Sequence, residues 1–214
     1  MDKPIIFSGP MVRALLEGRK TQTRRLIKPQ PYTVEGVVFT WEGPKSAFLC
    51  GPQAVVPNLR DHGAIRFAPG DRLYVREAHA LVPSSAYRMS PGVPYAVNDE
   101  DGSQACVYRE GWERSQPGTG WRPSIHMPRW ASRLTLTVTE VRVQRLQEIT
   151  WDDAVAEGCA GVLGPDPDFP DEWDAAPDEQ FRDLWNSLHG PVAWDANPWV
   201  VAVSFTVEQR NIDA

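Results

Sequence analysis

The 214 residues (24.0 kDa) are 42% hydrophobic and 23% charged, a composition of ordinary folded chains that argues against general disorder. No stretch approaches the roughly 18 apolar residues of a membrane span, and the opening MDKPIIFSGP lacks the apolar centre of a signal peptide. The net charge of −6 is unevenly spread: residues 151–183 hold eleven acids against one base, Arg182, and the remainder has 17 acids and 21 bases.

That imbalance keeps a nucleic-acid partner in view. Arg19, Lys20, Arg24, Arg25 and Lys28 place five cations in ten residues with no acid among them, an arrangement better suited to a neighbouring anion than to isolation. Three cysteines, Cys50, Cys106 and Cys159, form no CxxC pair, so neither a disulfide framework nor a thiolate zinc site is indicated and a reducing cytoplasm suits them. The histidines show no HxxxH or HExxH spacing, and no catalytic metal is expected.

In chain order, Ile5 to Ser8 predicts a short strand, and Gly9-Pro10 introduces a helix, MVRALLEG, that Gly18 ends. A basic loop is expected next. Residues 31–66 read as an irregular insertion, after which Pro69-Gly70-Asp71 turns into a strand whose Leu73, Val75 and Glu77 share one face. Residues 84–120 read as a second loop-rich insertion. Leu134, Leu136 and Val138 alternate and Val141 and Val143 resume on the other parity, which predicts one strand with a bulge near Thr139-Glu140. Thr150 caps a short helix, Trp151 to Glu157, closed by Gly158. Residues 160–176 form a third insertion. Phe181, Leu184, Trp185 and Leu188 then predict a helix with one core face, and Val201, Val203, Phe205 and Val207 a half-buried strand. With few helices and no βαβ series, this order favours a single domain, α+β or mainly β, with an antiparallel sheet or barrel and helices at its rim. The phosphate-cradling loops GxGxxG and GxxxxGK[ST] are missing.

The segment Gly18-Arg-Lys20-Thr-Gln-Thr23-Arg-Arg25 carries the chemistry. Lys20 and Thr23 lie three apart beyond a helix, where a continuing turn would put an ammonium beside a hydroxyl. Gly18-x-Lys20-x-x-Thr23-x-Arg25 resembles the GxKxxTxR signature of the ASCH superfamily, small β-barrels related to the PUA fold and associated with RNA. Gly70-Asp71 and RLTLTVTEVRVQRLQEITWDDAVAEG agree with that pattern. Phage and prophage members in particular resemble the chain at IIFSGPMVRALLEGRKTQTRR, PGDRLYVRE, WRPSIHMPRWASR and NPWVVAVSF. The resemblance covers about half the chain and implies a PUA-like barrel, residues 1–214, with the three insertions added to it.

One branch of that superfamily removes the acyl group from N4-acetylcytidine with a Lys, a Thr and a Glu. By motif these become Lys20, Thr23 and Glu157, the last at the negative end of a helix macrodipole. The resemblance implies an amidohydrolase that needs no cofactor; the alternatives are a non-catalytic reader of RNA or a modified base, and a ribonuclease. Arg19, Arg24 and Arg25 are candidates for substrate or phosphate contact. Glu77 is expected to pair with a loop cation such as Arg25. Ser124, His126, Arg129 and Trp130 join a hydroxyl, an imidazole, a cation and an indole before a strand, a set suited to base stacking and hydrogen bonding. Among the nine tryptophans, Trp121 and Trp130 flank that loop and Trp185 and Trp199 lie on apolar faces.

Overall fold

A computed structural model describes residues 2–34, 37–39, 65–87, 90, 92–98, 102–159 and 176–214. Most of the first insertion and nearly all of the third lie outside these residues. The chain divides into two compact units, Met1–Gly18 with Gly70–Val138 and Phe205–Ala214, and Arg19–Pro69 with Thr139–Ser204.

The first unit begins with β1 (Asp2–Ile6) and α1 (Gly9–Leu16). Pro10 starts the helix as expected, Val12, Ala14 and Leu15 form its buried face, and Gly18, at φ 74°, supplies the left-handed residue that ends it. β5 (Arg72–Arg76) lies between β1 and β9 (Thr135–Arg145). Its pairing with β9 is antiparallel, but its pairing with β1 is parallel, in register from Asp2↔Arg72 to Ile6↔Arg76, a departure from the expected antiparallel sheet. Leu73, Val75 and Glu77 are all buried, as their shared parity requires.

The stretch 84–120 is more regular than its loop-like composition suggests. β7 (Tyr95–Val97) and β8 (Gln104–Tyr108) fall within it, and with β6 (His79–Pro83) they form an antiparallel sheet in the order β6-β8-β7. The central strand β8 is buried on both faces, with Ala105 and Val107 in one apolar cluster and Cys106 and Tyr108 in another, so its short run carries no amphipathic signal.

The second unit is built on β2 (Gln22–Leu26), antiparallel to β10 (Trp199–Glu208) from Val200↔Leu26 to Ser204↔Gln22. The hairpin β3 (Tyr32–Val34) and β4 (Val37–Phe39) also belongs to it. Its helices are α2 (Trp151–Ala156) and α3 (Pro177–His189). The Thr150 hydroxyl accepts from the Asp153 N–H at 3.2 Å, the expected cap, and Gly158 follows at φ 98°.

Phe181 and Trp185 pack with Leu146, Ala154 and Val200, whereas Leu188, in the last turn of α3, is 52% exposed and departs from the expected core face. β10 departs too, because Val200, Val201, Ala202 and Val203 are all buried and the strand is covered on both faces there. In β9, Thr139 and Glu140 are exposed in succession, breaking the alternation at the predicted position, where the strand leaves one unit for the other. The overall class is therefore strand-rich α+β, with no closed barrel among the described residues. No described helix is long and apolar enough to cross a membrane.

Candidate functional site

The basic segment is not a loop. Residues 22–26 form β2, and extended geometry sends alternate side chains to opposite sides. Lys20, Gln22 and Arg24 share one parity, and all three reach acids of α2 or its C-cap, Asp153 and Glu157. Lys20 Nζ donates to Glu157 Oε2 at 2.8 Å and to the Glu157 carbonyl at 2.7 Å. Arg24 Nη1 donates to Glu157 Oε1 at 3.1 Å, and Nη2 to Asp153 Oδ2 at 2.7 Å. Gln22 Nε2 donates to Asp153 Oδ1 at 3.1 Å while its Oε1 accepts from Arg24 Nη1 at 2.5 Å. Arg142 completes the set from β9, donating to Asp153 Oδ1 at 2.6 Å.

Lys20 is 0% exposed, Arg24 5%, Asp153 7% and Glu157 5%, so this is a buried network of alternating charge. Burial of ions is costly, and only mutual attraction with filled hydrogen-bond sites offsets it. The Thr21 N–H donates to the Ala156 carbonyl at 2.8 Å, and Arg19 Nη1 to the Gly158 carbonyl at 2.8 Å, so backbone bonds hold the segment against the end of α2. Burial alone would raise Asp153, but the hydrogen bond from Arg142, the charge of Arg24 and the bond from Gln22 together bring it down to about 2. Cys159, half-buried nearby, is pushed up to about 11 by burial and by the Glu157 charge.

Lys20 and Glu157, expected to share a site, are in contact although 137 residues separate them. Thr23 is buried, but its odd parity on β2 turns its side chain away from the side of Gln22 and Arg24. The helical turn expected to align Lys20 with Thr23 is replaced by an extended chain. Arg24, a candidate phosphate contact, is instead internal, its side chain 0% exposed and its guanidinium 5.7 Å from the Phe181 ring centre. Arg19 is exposed and Arg25 half-buried, with burial lowering the Arg25 pKa against the opposing pull of Glu157.

The other candidates lie in the first unit. Glu77, 2% exposed, meets Arg133 rather than the expected Arg25: Arg133 Nε and Nη2 donate to its two oxygens at 2.8 and 2.9 Å. The same guanidinium lies 4.1 Å from the Tyr108 ring centre. Burial raises the Glu77 pKa, and Arg133 opposes without cancelling it. Ser124 and His126 sit in a 3-10 turn with His126 exposed, and the buried residue of the loop is Met127, whose sulfur receives the Glu77 N–H at 3.2 Å. Arg129 is committed to Asp2 at 2.6 Å and Asp213 at 2.5 Å. Trp130 packs half-buried on Cys106, Tyr108, Met127 and Ala131. Trp121 stands edge-on to Trp112 with centroids 5.6 Å apart. Both indoles therefore contribute to packing.

Sequence reasoning missed Asp153, Gln22, Arg142 and Arg133. Thr150-x-x-Asp153 is a capping pattern that could have fixed Asp153 at the third helical position; nothing local marks Arg133 or Arg142. Among the described residues no group of three or more His, Cys, Asp or Glu is placed to hold a metal ion. The chain matches no protein-family model, no curated protein and no solved structure.

Proposed function

We propose that the chain is an ASCH-type, PUA-like protein that hydrolyses N4-acylated cytosine nucleosides such as N4-acetylcytidine. The observation that supports this reading is the buried contact between Lys20, the cation of the signature, and Glu157, the carboxylate that the resemblance to the amidohydrolase branch implies. In the proposed reaction a water attacks the acyl carbonyl carbon while Glu157 takes the proton, the Thr23 side chain lying on the other side of β2. The Lys20 ammonium stabilises the oxyanion. Glu157 returns the proton to N4 as the C–N bond breaks, leaving cytidine and the carboxylic acid. Arg24 keeps Glu157 Oε1 in place and is removed from the substrate-contact set, leaving Arg19 and Arg25 as the signature-segment cations for the nucleoside.

Incubation of the pure chain with N4-acetylcytidine, with chromatographic separation of the products, tests this. Cytidine should form, and Lys20→Ala or Glu157→Gln should lower its rate on the order of 10²-fold or more, as loss of an acid-base group does. Thr23→Ala should leave turnover largely intact, since water is the nucleophile and the Thr23 side chain faces away from Glu157; loss of turnover would make Thr23 the nucleophile. Absence of cytidine from the wild-type incubation overturns the reading. The exposure of Arg19 and Lys28 favours RNA binding as the second reading. Under it, affinity falls with salt, and neutralising each phosphate-binding cation lowers the log-log slope by about 0.7 for a single strand.

A further inference from the structure

The first unit contains a cavity of about 310 Å³ that the reading above does not use. It is lined by Gly9 and Pro10 at the start of α1, Glu77 and Ala78 after β5, and Arg109 and Glu110 after β8. Its size falls at the lower end of the range for small-molecule sites.

Three features of the wall have a chemical sense. Arg133 takes one bond on each Glu77 oxygen, and an ionised carboxylate has about four acceptor sites, so a buried acceptor retains capacity at the wall. Glu110 Oε1 accepts from Arg13 Nε at 2.7 Å, while Oε2 lies against the helix start, 2.8 Å from where a Cβ on Gly9 would sit. A Cβ at that position would require the flexible end of Glu110 to shift. The third feature is Arg109, exposed at the rim, whose guanidinium has no hydrogen bond or ion pair among the described residues. Both acids already have cation partners, whereas this cation has no anion.

We propose that the cavity binds a small molecule with an ammonium or amidine-type N–H group at one end and a carboxylate or phosphate at the other, the N–H group held by Glu77 and Glu110 and the anion by Arg109. An α-amino acid and an aminopyrimidine nucleotide both have this chemistry. The assignment uses residues of the first unit alone and stands apart from turnover at Lys20 and Glu157.

Isothermal titration of the full chain with L-alanine and with cytidine 5′-monophosphate tests it. At least one should bind saturably at millimolar concentration. L-alanine should bind about tenfold or more tightly than ethylamine or acetate, and the cytidine nucleotide by the same margin over uridine 5′-monophosphate, as one charged hydrogen bond would give. Arg109→Ala and Glu110→Gln, each with a wild-type melting profile, should weaken binding about tenfold. Gly9→Ala should weaken it by shifting the Glu110 carboxylate. No saturable binding of either probe overturns the proposal, as does wild-type affinity in both Arg109→Ala and Glu110→Gln. Half-ligands that bind as tightly as the full probes also overturn it, since the two-ended recognition would then be absent.

Discussion

Two buried carboxylates, Asp153 in the second unit and the more deeply buried Glu77 in the first, respond in opposite directions. Asp153 receives Arg142, Arg24 and Gln22 and is held at about 2; Glu77 receives the paired donors of one guanidinium and stays raised. Two causes separate them: the burial penalty is larger at Glu77, and the donors that stabilise the charged form are more numerous at Asp153. The second unit gathers its donors because an extended segment delivers Lys20, Gln22 and Arg24 to one helix. In the first unit Arg133 alone supplies both donors to the Glu77 carboxylate, with Tyr108 beside it.

The largest effect on stability is expected from removing a cation of the network. Lys20→Met leaves Glu157 buried with Arg24 as its remaining ionic partner and should cost about 3–5 kcal/mol in urea unfolding, the range for removing one partner of a buried ion pair. Lys20→Met with Glu157→Gln should cost less than the sum of the two single changes, because the pair is lost only once.

Arg133→Met strands Glu77 in the same way, but a carboxyl whose pKa is already raised escapes by taking up a proton. Its cost at neutral pH should therefore fall below that of Lys20→Met, about 2–3 kcal/mol, and should shrink on acidification. An equal or larger cost at every pH would mean that Glu77 remains charged and that the contrast between the units is wrong.

The two groups also predict opposite slopes of stability with pH. The folded-state pKa of Asp153, about 2, lies below the ordinary 3.8, so its contribution is present above 3.8 and is lost as pH falls towards 2. Arg142→Met should move the acid-unfolding midpoint upward within that window. For Glu77 the folded value lies above the ordinary 4.5, so folding is favoured most below 4.5 and the contribution declines as pH rises through the folded value. Glu77→Gln should flatten that second slope, and an unchanged profile would place the titration elsewhere. The smallest effect is expected at Thr150→Ala, which removes the α2 cap and should cost about 1 kcal/mol. Because α2 carries Asp153 and leads into Glu157, that loss should also reduce the coupling measured between Lys20 and Glu157.

Turn and cap chemistry made several elements legible from the sequence. Pro10 and Gly18 bracket α1, Thr150 and Gly158 bracket α2, and the parity of Leu73, Val75 and Glu77 placed a carboxylate on a buried face, since these signals depend only on neighbouring residues. The pairing of Lys20 with Glu157 was legible through motif resemblance, not through spacing. Tertiary structure decided the rest. Residues 22–26 carry two arginines that repel in isolation, and they become a buried strand only because β10 supplies a register and Asp153 and Glu157 supply counter-charges from far along the chain. β8 looks like loop because a strand covered on both faces has no alternation to read, and Glu77 finds Arg133 because β5 and the start of β9 are brought together across 56 residues. Local signals fix where the chain turns; which charges meet depends on strand pairing at long range, and no window of neighbouring residues contains that information.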